Sequence, residues 1–223
     1  YPIFVAGVKR LLTWALEWNA KGDPFLLWGT CWGMQMIVRA ALGTDKDIFD
    51  TDLQGMFPLM MPLNFTASQP NSTLLGDESC PKDIQRTLQY RPSTLNWHHR
   101  GLPPQTLASH PSLSKLFTTI STNMEPVPPH REFVSSFEGK DGMNIFGVQF
   151  HPERPPYEFT HDGIGHTAGD VAVSQYFADF VASRLRLNTH SFDSPAQAEA
   201  LMIGRYPTTY YGYGEKNYWI TDL

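Results

Sequence analysis

Residues 25–43 read FLLWGTCWGMQMIVRAALG, and this stretch decides the fold. Its first four residues form a short, fully apolar run, which is typical of a strand buried on both faces. A turn bracketed by Gly29 and Gly33 follows, and residues 34–42 predict a helix that ends at Gly43. A buried strand, a sharp turn and a helix in this order predict part of an α/β fold.

The flanking segments extend this pattern. Apolar residues at helical spacing predict an amphipathic helix that is closed by Gly22-Asp23-Pro24; they are Phe4, Val8, Leu11, Ala15 and Trp18. Residues 45–128 are rich in Pro, Ser, Thr and Asn and predict short strands, hairpins and loops. We expect further strands at 132–138 and 143–150, a last long helix at 171–185, and a final strand or wrapped coil from 205.

Composition narrows the class of protein. The chain has 223 residues and a formal net charge of −5, so we expect one domain over residues 1–223 and no nucleic-acid partner. Two cysteines are too few for a disulfide scaffold or a cysteine-based zinc site, and we expect neither metal nor cofactor. No run reaches the roughly 20 apolar residues of a membrane span, and the first residues do not resemble a signal peptide.

Cys31 is the candidate nucleophile. It lies between the predicted strand and helix with a glycine on either side, which is the pattern of a nucleophile elbow. The N-terminus of the following helix favours a thiolate, and the backbone N–H of Trp32 is placed to stabilise an oxyanion. The alternative is a buried structural cysteine, the commonest fate of a free thiol.

His151 is the candidate general base and acid. It follows the strand predicted at 143–150, and Glu153 could orient its ring if the chain turns at Pro152. Any one of the eight histidines could instead be structural. The order Cys, His, Glu, combined with the elbow, favours a catalytic triad.

Six segments resemble one family. GTCWGMQ at 29–35 and GVQFHPE at 147–153 resemble the two signatures of class I glutamine amidotransferase-like domains. MPLNFT at 61–66, NWHH at 96–99, HPERPPYE at 151–158 and DGIGH at 162–166 resemble motifs of the gamma-glutamyl hydrolase (folylpolyglutamate hydrolase) family. The six segments occur in the family's order over most of the chain, so the resemblance is specific.

The resemblance implies both a fold and a reaction. The fold would be a three-layer flavodoxin-like sandwich with a mainly parallel central sheet. Cys31 would attack a γ-glutamyl amide, His151 would protonate the leaving amine, and Glu153 would orient His151. Among substrate-binding candidates, His98 and Arg154 match family motifs, whereas Gln35 stands where the hydrolases often carry Glu and amidotransferases carry Gln.

The implied substrate is the poly-γ-glutamate tail of folates and antifolates. Because that tail is polyanionic and the chain is acidic, a local cationic pocket is required. Its candidate residues are Arg39, His98, His99, Arg100 and Arg154. A solvated surface charge is the alternative for any single arginine.

The family's opening strand, with a Gly-Gly loop that supplies a second oxyanion donor, has no counterpart before Cys31. This leaves two further hypotheses open beside the hydrolase: a non-catalytic subunit of a larger assembly, and the glutaminase module of an amidotransferase. We expect a homodimer, or a second chain that supplies the missing strand.

Two acceptor sequons for N-glycosylation occur, at Asn64 and Asn71. Together with the resemblance, they favour a lysosomal, vacuolar or secreted protein. In such a compartment a Cys31–Cys80 disulfide is the competing interpretation of the two cysteines, and it would abolish nucleophilic chemistry.

Overall fold

The computed structural model describes residues 2–43, 47–54, 56–211 and 215–218. It divides the chain into two compact units, Tyr1–Asn188 and Thr189–Leu223. The expectation of one domain over the whole chain stays a prediction. No helix among these residues is both long and apolar enough to cross a membrane.

The first unit contains most of the secondary structure. Its elements in chain order are α1 (Pro2–Ala20), β1 (Leu27–Thr30), α2 (Trp32–Leu42), β2 (Leu59–Met61), β3 (Asn64–Phe65), a 3₁₀ turn (Gln69–Asn71), α3 (Lys82–Tyr90), β4 (Thr94–Asn96), α4 (Pro104–Ser109), α5 (Pro111–Ser114), β5 (Phe117–Met124), β6 (Glu132–Gly139), β7 (Ile145–Val148) and α6 (Ala168–Leu185). The helices predicted around Phe4–Trp18, 34–42 and 171–185 are confirmed, as are the strands within 132–138 and 143–150.

The second unit is small. It contains α7 (Pro195–Ala200), a 3₁₀ turn (Ile203–Arg205) and an antiparallel hairpin of β8 (Thr208–Tyr211) and β9 (Glu215–Tyr218). The strand expected after residue 205 is therefore present as the first arm of this hairpin.

The central sheet has five strands in the order β1-β7-β6-β5-β3. Strands β1 and β7 are parallel, and the other three neighbouring pairs are antiparallel. The sheet is mixed, and the expectation of a mainly parallel sheet is wrong for the described strands. For the pairs β5–β6 and β6–β7 the reason is the length of the connection. Residues 125–131 and 140–144 are too few for the crossover that a parallel pair needs.

Helices cover the sheet on both faces. On one face, Leu12 of α1 and Ile37 of α2 pack in a cluster with Ile145 of β7. On the other face, Leu88 of α3 and Phe177 of α6 pack in a cluster with Phe146, the next residue of β7. Successive side chains of a strand point to opposite faces, so β7 contributes to both cores. This gives an α/β protein, and the flavodoxin-like description stays a prediction.

The segment 45–128 differs from its prediction. Within its described part the structure has short strands and loops as expected, but also three helices, of which α3 is the longest. Its sequence, KDIQRTLQY, is mostly polar, and only Ile84 and Leu88 mark a buried face. Two apolar residues four positions apart are a weak helical signal, and the polar composition hides it.

Strand β1 pairs with β7 alone among the described strands. Its half-buried Trp28 and Thr30 line a groove of about 390 Å³ together with apolar residues of α6 such as Phe177 and Val181. A further strand beside β1, whether from this protein or from a second chain, stays a prediction.

Strand β1 and helix α2 approach each other closely at Gly29. A Cβ atom there would lie 2.6 Å from the backbone nitrogen of Met34 and 2.7 Å from the carbonyl carbon of Gly33. Gly33 itself has open space around its Cβ position. Of the two glycines that bracket Cys31, only Gly29 is demanded by close packing.

We therefore expect opposite results from two alanine substitutions. Gly29→Ala forces α2 away from β1 and lowers the free energy of unfolding by about 1–3 kcal/mol or more. The added methyl group of Gly33→Ala contacts no other atom, and alanine favours the helix more than glycine does. This substitution therefore leaves the free energy of unfolding unchanged or raises it by up to about 1 kcal/mol. Urea unfolding at pH 7 measures both, and equal destabilisation by the two variants would contradict a special packing requirement at Gly29.

Candidate active site

Cys31 lies on the sharp turn between β1 and α2. Its backbone angles are φ 50° and ψ −107°, a conformation that non-glycine residues seldom adopt. Its backbone N–H donates to the carbonyl of Val148 at 2.7 Å, which extends the β1–β7 ladder by one residue. The side chain is thus held at the carboxyl end of a parallel strand pair, as the elbow prediction requires.

Helix α2 begins at Trp32, directly after the nucleophile. The backbone N–H groups of a helix's first turn point out of its N-terminal end and carry partial positive charge. This end of α2 faces the side where Cys31 lies, so it favours negative charge on the sulfur and on an oxyanion formed next to it. The predicted role of the Trp32 amide stays a prediction.

His151 follows β7, the strand that neighbours β1. Its backbone N–H donates to the carbonyl of Leu95 at 2.8 Å, which ties this segment to β4. Its Nδ1 atom lies 2.7 Å from Oε1 of Glu153, and the side chain of Cys31 is close enough to raise the pKa of the ring. The structure therefore brings Cys31, His151 and Glu153 together as predicted.

The charges of this triad follow from these contacts. Burial lowers the pKa of His151, but the hydrogen bonds and charges of Cys31 and Glu153 outweigh burial and raise it to about 9. The ring is therefore an imidazolium at neutral pH and a competent acid for an amine leaving group.

Two buried glutamine side chains form a chain of contacts that reaches the sulfur of Cys31. Gln149, fully buried, places its Nε2 atom 3.5 Å from Sγ of Cys31. Gln35, 4 % exposed, directs its Nε2 atom at Oε1 of Gln149, 3.2 Å away, and at the carbonyl of Arg100, 3.4 Å away. These contacts form a buried chain of amides that ends on the nucleophile.

Trp97 also lies close to Cys31. Its carbonyl oxygen is 4.0 Å from the sulfur, and the guanidinium of Arg154 lies over its indole ring, 4.8 Å from the centroid. The neighbouring His98 is 5 % exposed. Burial lowers the pKa of His98 to about 4, so the ring is neutral, and its Nδ1 lies 2.8 Å from the carbonyl of Arg100.

A cationic cavity of about 610 Å³ adjoins the elbow. It is lined by Val5, Trp32, Gln35, Met36, Arg39 and Arg100. Asp47 bridges the two arginines, with oxygens 3.0 Å from Arg39 and 2.5 Å from Arg100. Burial acts to raise the pKa of Asp47, but the hydrogen bond from Arg100 and the charge of Arg39 lower it. The cluster therefore keeps a net positive charge beside Trp32.

Comparison with known proteins finds relatives that match most of this chain. Human gamma-glutamyl hydrolase is 33 % identical over 196 residues, which cover 86 % of this chain and 57 % of that protein. Gamma-glutamyl hydrolase B of Dictyostelium discoideum is 29 % identical over 208 residues (93 % and 58 %), and gamma-glutamyl hydrolase 1 of Arabidopsis thaliana is 26 % identical over 216 (95 % and 58 %). The chain is a homologue of the gamma-glutamyl hydrolases.

The homology has a limited span. No family model matches the chain. The chain also spans somewhat less than two thirds of the length of the curated gamma-glutamyl hydrolases that it matches. The resemblance inferred from the six motifs is confirmed, and the roles of individual residues are inferences from geometry.

The other predicted site residues of this gamma-glutamyl hydrolase homologue differ in their exposure, although Gln35 and His98 both contact the carbonyl of Arg100. Arg154 is half-buried over Trp97, whereas Gln35 and His98 are buried. Their contact with substrate stays a prediction. His99 is exposed and stacks on Phe57, with ring centroids 5.4 Å apart.

Gln149 is the site residue that sequence reasoning missed. It lay inside the GVQFHPE motif without an assigned role. A signal was present, since residues 149 and 151 are two apart, and alternate residues of an extended segment share a face. Both side chains consequently reach the same sulfur.

The remaining predictions concern the cysteines, the sequons and metals. Both cysteines are free, so the Cys31–Cys80 disulfide is absent, and burial raises the pKa of Cys80 to about 11. Asn64 and Asn71 are exposed. Among the described residues, no three His, Cys, Asp or Glu side chains are grouped so that they could hold a metal ion.

Replacing Glu153 tests the electrostatics of the triad. Because the Glu153 carboxylate helps to hold the pKa of His151 at about 9, Glu153→Gln should lower that pKa by roughly one unit or more. NMR titration of the His151 ring between pH 5 and 10 measures the change. Glu78→Gln, an exposed glutamate outside the triad, is the control and should leave the titration unchanged. A ring that still titrates near 9 in Glu153→Gln would show that the carboxylate does not act on it.

Proposed function

We propose that this protein hydrolyses γ-glutamyl bonds of folyl- and antifolyl-poly-γ-glutamates through a cysteine acyl-enzyme. The observation that carries the proposal is the contact of His151 with both Cys31 and Glu153 at the carboxyl end of β1 and β7. All the relatives named above are gamma-glutamyl hydrolases, which supports the bond type.

The first half-reaction uses the ion pair of Cys31 and His151. The thiolate sulfur attacks the γ-carbonyl carbon, and the carbonyl oxygen becomes an oxyanion beside the Trp32 N–H. When the C–N bond breaks, the imidazolium gives its proton to the departing α-amine of the next glutamate. The products of this step are a thioester on Cys31 and a neutral imidazole.

The second half-reaction regenerates the site. The neutral His151 ring takes a proton from a water molecule as that water attacks the thioester. The C–S bond then breaks, which releases a carboxylic acid and restores the thiolate and the imidazolium. Glu153 holds the ring through Nδ1, which leaves the other ring nitrogen to exchange the proton in both half-reactions.

The cationic cavity beside Trp32 suits a substrate with several carboxylates. The chain as a whole is acidic, with a net charge of −5, so a polyanion needs a local positive region. Arg39 and Arg100 supply two charges there against the single charge of Asp47. The cavity lies at the N-terminus of α2, whose partial positive charge has the same sign.

Replacement of the nucleophile tests the reaction. Cys31→Ala should reduce glutamate release from a pteroyl-polyglutamate by roughly 10⁴-fold or more, because the thiolate is lost. Cys80→Ala is the matched control, since Cys80 is the other cysteine and is buried in the core with residues of α3 and α6. This variant should retain activity.

Three outcomes would refute the proposal. Equal glutamate release by the unmodified protein and Cys31→Ala would exclude a cysteine mechanism. Cys31-dependent hydrolysis of free glutamine, with no action on pteroyl-polyglutamate, would assign the glutaminase function instead. An unmodified protein that hydrolyses neither substrate would favour the non-catalytic subunit.

We further propose that the protein follows the secretory route to a lysosome or vacuole, or is secreted. The exposed side chains of Asn64 and Asn71, each in an acceptor sequon, support this localisation. The expected homodimer stays a prediction.

Glycan removal tests the localisation. We expect an endoglycosidase that cleaves N-linked glycans to increase the gel mobility of the native protein, and Asn64→Gln combined with Asn71→Gln to abolish that shift. The protein with both changes should show the same mobility before and after treatment. Lack of any shift for the native protein would contradict secretory targeting.

A further inference from the structure

The buried amides behind Cys31 have no role in the reaction described above. Gln149 is fully buried and Gln35 is 4 % exposed, so the protein interior surrounds both side chains. Burying an amide group without a hydrogen-bond partner costs free energy, so buried side-chain amides are generally hydrogen-bonded. Here the last partner in the chain of contacts is the sulfur of Cys31.

The direction of these hydrogen bonds follows from the backbone at their far end. The carbonyl oxygen of Arg100 can only accept, so the Gln35 group that faces it at 3.4 Å is the amino group. The same amino group lies 3.2 Å from Gln149 and donates to its Oε1 atom. The amino group of Gln149 is then left to face Sγ of Cys31.

Two backbone anchors hold this geometry. The backbone N–H of Gln149 donates to the carbonyl of Ser135 at 2.8 Å, which continues the pairing of β7 with β6. Gln35 lies on the first turn of α2, where its backbone N–H donates to the carbonyl of Cys31 at 3.2 Å. The donor Gln149 is therefore held at the end of β7, and Gln35 is held on α2, the helix that directly follows Cys31.

Among the described residues, the charged and titratable groups near the sulfur come from two segments. From the segment after β7, His151 lies close to Cys31, with Glu153 on its Nδ1 atom and Arg154 3.9 Å from Glu153. From the segment after β4, the neutral ring of His98 lies close enough to influence His151, and Arg100 contributes its carbonyl to the amide chain. The Gln149 amide differs from the histidines because it is uncharged at every pH and cannot be titrated.

We propose that Gln149 is a further catalytic residue, which donates a hydrogen bond to the Cys31 thiolate, and that Gln35 is a positioning residue that fixes the donor's orientation. The proposal rests on Cys31 being the nucleophile of the proposed function. A thiolate accepts this bond more strongly than a thiol does, so the contact favours the charged form. It also holds the sulfur at one position beside the imidazolium.

The test is the pH dependence of Cys31 alkylation, which needs no substrate. Iodoacetamide reacts with the thiolate, and mass spectrometry of the peptide that contains Cys31 gives its alkylation rate between pH 4 and 10. In Gln149→Leu, which keeps the volume and removes the donor, the midpoint of this profile should rise by roughly one pH unit. The rate below the midpoint should fall by about tenfold.

Gln35→Leu should shift the midpoint in the same direction but by less, because the Gln149 amide is present but no longer oriented. The double variant should shift it no further than Gln149→Leu alone, since both changes act through one donor. Two independent structural defects would instead add.

The matched control is Gln85→Leu. Gln85 is another buried glutamine, 8 % exposed, whose Nε2 donates to the carbonyl of Gly76 at 2.7 Å in contacts with the α3 region. Its loss removes a buried amide of the same kind far along the chain from Cys31. The Cys31 alkylation profile of Gln85→Leu should match that of the unmodified protein.

An unchanged midpoint in folded Gln149→Leu would overturn the proposal. If that variant does not fold, Gln149→Met and Gln35→Leu decide the question by the same measurement. The proposed function can fail separately: a midpoint shift in a protein that releases no glutamate would leave the thiolate contact established and refute the hydrolase. Glutamate release with no shift of the midpoint would support the hydrolase and refute the thiolate contact.

Discussion

The parallel pairing of β1 with β7 is the constraint on which the site depends. It joins residues 27–30 to residues 145–148 in register, and the bond from Cys31 N–H to the Val148 carbonyl extends it to the nucleophile. Because both strands end at the same edge, the residues just beyond them meet there. A loss of this register would separate the sulfur from the imidazole.

The elbow depends on a second constraint, the close approach of α2 to β1. Gly29 allows the helix to begin at once after Cys31, and the backbone of Cys31 is held in an unusual conformation by the strand on one side and the helix on the other. The same approach places Gln35 of α2 against Gln149. Packing, nucleophile geometry and the buried amides are thus consequences of one strand-to-helix turn.

Local patterns predicted the elements that have strong periodicity or strong flanks. The spacing of apolar residues in α1 and α6, and the short apolar run before Gly29, indicated those elements directly. The polar helix α3 was hidden, because its two buried apolar residues, Ile84 and Leu88, form too weak a pattern. The mixed character of the sheet was also missed, since strand direction depends on which strands become neighbours and on the length of the connections between them.

The sequence by itself predicted the candidate nucleophile, its histidine and its carboxylate, because Cys31, His151 and Glu153 each stand in a local pattern with a chemical meaning. Only the tertiary structure decided what surrounds the sulfur: the pKa of His151 raised to about 9, the burial of His98 and Gln35, and the contact of Gln149 with Sγ. These features depend on distances between segments that are far apart in the sequence. Cys31 and Gln149, for example, are more than a hundred residues apart. Hydrogen bonds and desolvation act over a few ångströms in space, and no local pattern encodes such contacts.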